Sequence, residues 1–132
     1  MIREYNKEYF NYLKENIIEF SIDYLNNPNI YEKNYVYLDK NMPIGLISFS
    51  IIYDRVELDY IWVKKEHRNK LIASTLLEYM FKTSNVKSYS LEVAIDNINA
   101  IKLYKKYDFN IVSIRKKYYN NKDAYLMVKE VR

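Results

Sequence analysis

The hydrophobic period of this chain changes abruptly near residue 64, and that change restricts the folds open to it. Up to Val63, YVYLD (35–39), the nearly continuous apolar run PIGLISFSIIY (43–53) and VELDYIWV (56–63), where Val56 and Leu58 alternate with Glu57 and Asp59, read as three strands. Alternation places successive side chains on opposite faces, the pattern of a half-buried strand. Short polar stretches around Lys40-Asn41 and Asp54-Arg55 separate the runs and suit antiparallel hairpins. From Leu71 to Lys82 the apolar residues Ala73, Leu76, Leu77 and Met80 instead share one helical face. The period returns to two in KSYSLEV, becomes helical in NINAIKLYKKY, and is two again in FNIVSIRKK and DAYLMVKEV.

Upstream, Phe10, Leu13, Ile17 and Phe20 fall at helical spacing and predict a helix over residues 4–20. SIDYLNNPN predicts a short second helix stopped by Asn26, Asn27 and Pro28. The expected order is helix, helix, three strands, helix, strand, helix, two strands. That order implies one mixed α/β domain spanning residues 1–132. A chain of 132 residues can bury a core without staples.

Several chemistries are excluded at this level. There is no cysteine, so no disulfide and no thiol to carry an acyl group. A single histidine, His67, rules out a multi-histidine metal site. No window reaches the ~18 to 20 apolar residues of a membrane span, and MIREYNKEYF lacks an apolar signal core. The expectation is a cytoplasmic protein with no membrane partner. The net charge of +4 suits an anionic partner such as a phosphate-bearing cofactor, and it also suits a plain lysine-rich surface.

Two junctions carry candidate chemistry. IWVKKEHRNKLIASTLL runs from a strand through a basic loop into a helix start, where unpaired N–H groups and the positive dipole end favour phosphate. In SLEVAIDNINAIKLYKKYDF, Glu92 alternates with Leu91 and Val93 and so points to the face opposite theirs. A carboxylate there can act as a base in a cleft, or pair with a surface lysine. Asn97 can cap the following helix. Tyr104 lies seven residues on, nearly two turns, and so shares a face with Asn97. Its phenol can give a proton to a leaving thiolate, or it can be a core tyrosine.

These residues resemble the GNAT acetyltransferases. The loop motif Arg/Gln-x-x-Gly-x-Gly/Ala of that family is matched at its ends by Arg68-Asn69-Lys70-Leu71-Ile72-Ala73, with Leu71 at the central glycine. The segment LEV, Asn97, LY and Asp108-Phe109 is similar to the ribosomal-protein-alanine N-acetyltransferase branch, which carries Gly-Phe at the last pair. That branch also has Arg-x-x-Tyr-Tyr and Asp-Ala-x-x-Met, matched here by Arg115 to Tyr119 and Asp123 to Met127.

The resemblance implies a sheet, mostly antiparallel, splayed between the strands near 56–63 and 88–93. It implies acetyl-CoA as co-substrate, held by Ile61, Trp62, Val63, Arg68, Asn69, Lys70, Leu71, Ile72, Ala73, Ser74 and Asn97. It implies Glu92 as base, Tyr104 as acid, and Tyr118 and Tyr119 as shapers of the acceptor slot. The implied reaction is direct acetyl transfer to a primary amine, foremost a protein N-terminal α-amine. A small-molecule amine is the alternative acceptor. RKKYYNNK, basic and tyrosine-bearing, leaves a non-catalytic RNA-binding module as the other reading. No recognised aromatic RNA motif accompanies it, so direct nucleic-acid binding is not expected.

Overall fold

The computed structural model describes residues 1–68, 70–119 and 121–131, without the side chains of residues 118 and 119. Its strands are β1 (Ile2–Glu4), β2 (Glu32–Asp39), β3 (Met42–Ile52), β4 (Arg55–Val63), β5 (Ser88–Ala94), β6 (Asn110–Tyr119) and β7 (Lys122–Glu130). Its helices are α1 (Phe10–Asn16), α2 (Ile72–Thr83) and α3 (Ile98–Lys106). The strands form one sheet in the order β1-β2-β3-β4-β5-β7-β6. Every neighbouring pair is antiparallel except β4 and β5.

The alternating runs become strands because each can bury one face. Lys40 and Asn41 close the β2–β3 hairpin, both at positive φ, 50° and 64°. That two-residue geometry follows the twist of the flanking strands. On one side of the sheet, α2 and α3 cover Ile47, Phe49, Val56, Leu58, Leu91 and Val93. On the other, Leu13 of α1, Ile17, Ile22 and Leu25 pack on Val36, Leu46 and Trp62. The sheet is thus coated on both faces, and the β4–β5 seam runs through its middle.

The N-terminal third departs from the helical expectation. Residues 2–4 pair with β2, Ile2 opposite Tyr37 and Glu4 opposite Tyr35. Asn6 then caps a 3-10 turn at Lys7–Tyr9, and α1 is only seven residues long. Ile17 leaves the helix with φ −89° and ψ 111° while its N–H still bonds to the Leu13 carbonyl at 2.8 Å. Most helical stability comes from packing an apolar face, so spacing alone does not keep the whole segment helical. Pairing with the exposed edge of β2 satisfies the first residues' backbone instead. The expected second helix is a 3-10 turn at Asp23–Asn26 that drops Leu25 into the core.

Gly45 is the sole glycine of the chain. A Cβ there would meet Ile72 Cγ2 at 3.1 Å, Leu76 Cδ1 at 3.2 Å and Tyr37 Cβ at 3.2 Å. The missing side chain lets the first turns of α2 lie close on β3. Gly45→Ala therefore pushes α2 off the sheet and destabilises the protein by about 1–3 kcal/mol, the usual range for overpacking. Thermal unfolding checks this, and an unchanged melting temperature would contradict it.

Candidate active site

The parallel pairing of β4 and β5 is short. It runs from Arg55 opposite Ser88 to Leu58 opposite Leu91 and stops there, although β4 continues to Val63 and β5 to Ala94. Beyond Leu58 the two strands diverge. The register shift against β3 between Ser48 and Phe49 leaves Asp59 as the extra residue of a bulge, which turns β4 where the pairing ends. Lys64 N–H bonds to the Ile44 carbonyl at 2.8 Å, so Lys64 faces β3. Alternate residues turn their N–H groups the same way, so Trp62 also faces β3, while Ile61 and Val63 face the gap. The Val63 carbonyl, on that gap side, accepts Arg68 Nε at 2.9 Å.

The end of β4 leads to the basic loop. Arg68 is anchored there twice, to Val63 and through Nη2 to Glu19 Oε2 at 2.6 Å. Leu71 then adopts the left-handed conformation, φ 63° and ψ 15°, and the residue is 69% exposed. Its carbonyl accepts the Thr75 N–H and hydroxyl and so starts α2. The N–H groups of Ile72, Ala73 and Ser74 form the first turn, where a helix offers no acceptors of its own. Diverging strands and a helix start thus converge on one groove, with donors for an extended amide chain and for a phosphate. Asn69, the remaining residue of the expected loop, lies outside the described residues.

Trp62, expected near the cofactor, buries its indole among Leu13, Ile17 and Ile22, away from the gap. The alternation of the strand puts it on the face opposite Ile61 and Val63.

Glu92 leaves β5 on the face opposite Leu91 and Val93. Its side chain is 17% exposed and pairs with Arg115 Nε at 3.0 Å. Arg115 sits on β6 opposite Ala124, so its guanidinium crosses β7 to reach β5. Glu92 Oε2 is buried without a hydrogen-bond partner. The Glu92 side chain lines a cleft of about 210 Å³ between β4, β5 and the start of β2, together with Tyr24, Glu32, Glu57, Asp59 and Tyr60. Tyr60 is stacked between Phe20 and Tyr24, with centroids at 4.4 and 4.9 Å. Burial pushes the Tyr24 phenol up, and it bonds to Ser48 Oγ at 2.8 Å. Desolvation, then Glu57 and Glu32, push Asp59 up to about 6 against the Ser50 hydrogen bond, although the residue as a whole keeps solvent contact.

The third component is α3. Asn97 caps it, its side chain accepting the Ala100 N–H at 3.3 Å. Tyr104 is buried in the core cluster on the α2–α3 side of the sheet, edge-on to Phe109 at 5.8 Å. The helix ends with Phe109 N–H bonded to the Tyr104 carbonyl and Asp108 N–H to that of Lys105, at 3.1 and 3.0 Å. Those two bonds and the ring contact make a Schellman cap. Asp108 holds its left-handed position, φ 70°. Asn97 and Tyr104 therefore differ in exposure: the amide stands at the solvent-exposed helix start and the phenol lies in the core. The side chains of Tyr118 and Tyr119 lie outside the described residues.

The comparisons with known proteins agree with this architecture. The family model of the Acetyltransferase (GNAT) family matches residues 1–109. The chain belongs to the GNAT acetyltransferase family. A putative ribosomal protein bS18-alanine N-acetyltransferase of Bacillus subtilis is 31% identical over 114 residues, 82% of this chain and 74% of that protein. An N-alpha-acetyltransferase of Saccharolobus solfataricus is 43% identical over 74 residues; the match spans 52% of this chain and 44% of that protein. The crystal structure of the ribosomal-protein-S18-alanine N-acetyltransferase from Escherichia coli superposes with TM-score 0.88 at 20% identity, covering 99% of this chain and 93% of that one. Acetyl-CoA is the co-substrate of this GNAT fold, which has been solved with acetyl-CoA bound.

Within this GNAT chain, sequence reasoning overlooked Arg115 as the partner of Glu92, and it overlooked the acidic cleft. The arginine was visible in the Arg-x-x-Tyr-Tyr match, but its reach across β7 depends on the β5-β7-β6 order. Glu57 and Asp59 were visible as polar positions of VELDYIWV. Alternation puts both on one face, and only the end of the β4–β5 pairing makes that face the wall of a cleft.

Leu71 occupies a conformation that glycine adopts freely and that costs other residues about 1–2 kcal/mol. Its exposed side chain contributes little packing to offset that. Leu71→Gly therefore raises stability by about 1 kcal/mol, net of the chain entropy glycine adds. Chemical denaturation measures the shift; a lower midpoint would show that the leucine side chain stabilises the loop.

Proposed function

We propose that the whole chain is a single catalytic domain that moves the acetyl group of acetyl-CoA onto a protein N-terminal α-amine. The observation that carries this reading is the arrangement at the β4–β5 divergence. A groove with backbone donors and a helix start lies at the divergence, and a half-enclosed carboxylate, Glu92, stands beside it with one oxygen unpartnered. The N-terminal acceptor is supported by the two relatives, one named for N-alpha-acetylation and the other for a ribosomal-protein alanine.

The roles follow from chemistry. The pantetheine chain of acetyl-CoA lies along the gap edge of β4, and its pyrophosphate meets the N–H groups of Leu71 to Ser74, with Arg68 and Lys70 supplying the charge of the loop and Asn69 a neutral polar group. Asn97 stands at the α3 start, where its amide contacts the cofactor while capping the helix. The acceptor enters from the acidic cleft as an ammonium ion, beside the Tyr24–Tyr60 stack, and Tyr118 and Tyr119 are the residues that the family resemblance implies shape its slot. Glu92 takes a proton, directly or through water, and the freed amine attacks the thioester carbon. A C–N bond forms, and the oxyanion accepts a hydrogen bond from the Val63 N–H. The C–S bond then breaks, and Tyr104 gives its phenolic proton to the thiolate. An α-amine has a reference pKa near 7.7 to 8.0, so a carboxylate is a sufficient base at neutral pH.

Two substitutions test these roles. Glu92→Gln keeps the shape of the side chain and lowers kcat by about 100-fold or more, the usual cost of losing a general base. Acetyl-CoA binding, followed by calorimetry, stays close to wild type. Turnover equal to wild type would remove Glu92 from the mechanism.

Tyr104→Phe retains the ring that packs on Phe109 and loses only the hydroxyl. If that hydroxyl protonates the thiolate, kcat falls while the KM for acetyl-CoA changes little, the pattern of a contact made in the transition state. Undiminished turnover with a stability change of about 1 kcal/mol would make Tyr104 a core residue with one hydrogen bond.

A further inference from the structure

The basic loop after β4 turns two of its cations toward α1. Arg68 gives Nε to the Val63 carbonyl at 2.9 Å and Nη2 to Glu19 Oε2 at 2.6 Å. Lys64 gives its ammonium to the Tyr12 hydroxyl at 2.7 Å and lies 5.2 Å from the centre of that ring. Glu19 and Tyr12 are 49 and 52 positions away from these partners in the chain. They belong to α1 and the segment after it, which pack on the face of the sheet opposite α2. The loop that begins α2 is thus tied to the other side of the sheet.

Glu19 stands on a braced segment. Ile17 and Ile22, on either side of it, are buried in the α1-side core. Phe20, next to it, stacks on Tyr60 with centroids at 4.4 Å. Glu19 Oε1 accepts the Ile18 N–H at 3.1 Å, and Oε2 takes the arginine. The carboxylate therefore has one oxygen on its own backbone and the other on the loop.

The pair does little for folding stability. Its side chains are 46% and 43% exposed, and ion pairs in that setting contribute little. Its geometry has the larger consequence. The Arg68 side chain returns five positions to Val63, and the Glu19 carboxylate fixes the guanidinium there from the other side. Together they set the path of the chain from the end of β4 to Leu71, where the first turn of α2 begins. An arginine held in this way is a strut as well as a charge.

We propose that Glu19 is a positioning residue for acetyl-CoA: through Arg68 it holds the β4–α2 loop so that the N–H groups of Leu71 to Ser74 meet the pyrophosphate. This rests on the pyrophosphate placement proposed above. A loop already set in its bound path leaves less chain to order when the cofactor arrives. Without the carboxylate, Arg68 keeps the Val63 carbonyl alone of these two partners, and the loop loses its tie to the α1 side.

The test compares two ligands, acetyl-CoA and S-acetylpantetheine, which has the same thioester and arm but no pyrophosphate. Dissociation constants are measured by calorimetry for acetyl-CoA and by melting-temperature shift for S-acetylpantetheine. The proteins are the wild type, Glu19→Gln, Arg68→Gln and the double variant. Glu19→Gln removes the charge and one of the two acceptor oxygens, and it should melt close to wild type. The expected result is acetyl-CoA binding about two- to tenfold weaker in Glu19→Gln, with S-acetylpantetheine binding unchanged. The double variant should bind acetyl-CoA no more weakly than Arg68→Gln alone, because Glu19 acts through the arginine. Equal weakening of both ligands would make Glu19 a general brace of the fold and overturn the proposal. Unchanged acetyl-CoA binding would overturn it too, and so would tighter binding, which would make Glu19 an anion that repels the pyrophosphate. A wild type that binds both ligands equally would overturn the pyrophosphate placement itself.

Discussion

The divergence of two neighbouring strands is the constraint on which the rest of this molecule depends. β4 and β5 pair over four residues, from Arg55 and Ser88 to Leu58 and Leu91, and then part. Ending a ladder in the middle of a sheet exposes backbone groups that would otherwise be bonded, and unmet groups of that kind are costly when buried. The fold sustains the opening because both faces are packed. Trp62 is fixed in one cluster, Leu58 and Leu91 in the other, and β3 and β7 hold the outer edges of the two strands. The bulge at Asp59 turns β4 where the ladder ends. The groove is therefore built by the core, and loops only decorate it.

A second constraint comes from composition. One glycine must serve the whole chain, and the packing of α2 on β3 takes it at Gly45. Seven residues at positive φ among the described ones are therefore lysine, asparagine, tyrosine, leucine or aspartate. Asn41 and Asp108 tolerate that conformation comparatively well. Leu71 does not. Its strain sits at the start of α2, beside the groove, where the left-handed turn aims the first N–H groups of the helix. Leu71 holds this left-handed geometry with φ 63°.

Electrostatics divides the two sides of the divergence. On the loop side, Arg68 and Lys70 precede a positive helix end. On the cleft side, Glu32, Glu57, Asp59 and Glu92 gather around two tyrosines. The two partners of an acetyl transfer differ in the same way, since one bears phosphates and the other is an ammonium ion in water at neutral pH. Such complementarity steers encounter and orientation more than it adds affinity.

The sequence by itself determined the elements and their faces from β2 onward. Alternation in YVYLD and VELDYIWV and the helical spacing of Leu76, Leu77 and Met80 are local and strong, so strands and helices appeared where expected. The orientation of Glu92 followed from the same alternation, and the cap at Asn97 from its residue type. The N-terminus was not legible in this way, because residues 2–4 gain their bonds from an edge of β2, with partners such as Ile2 and Tyr37 far apart in the chain. Nor was the pairing of Glu92 with Arg115, which needs β7 inserted between β5 and β6. Trp62, Glu57 and Asp59 were visible as residues, but the end of the β4–β5 pairing and the two cores chose which of them face the cleft. Periodicity is a property of a segment, whereas a site is a meeting of segments, and only the packed sheet brings those together.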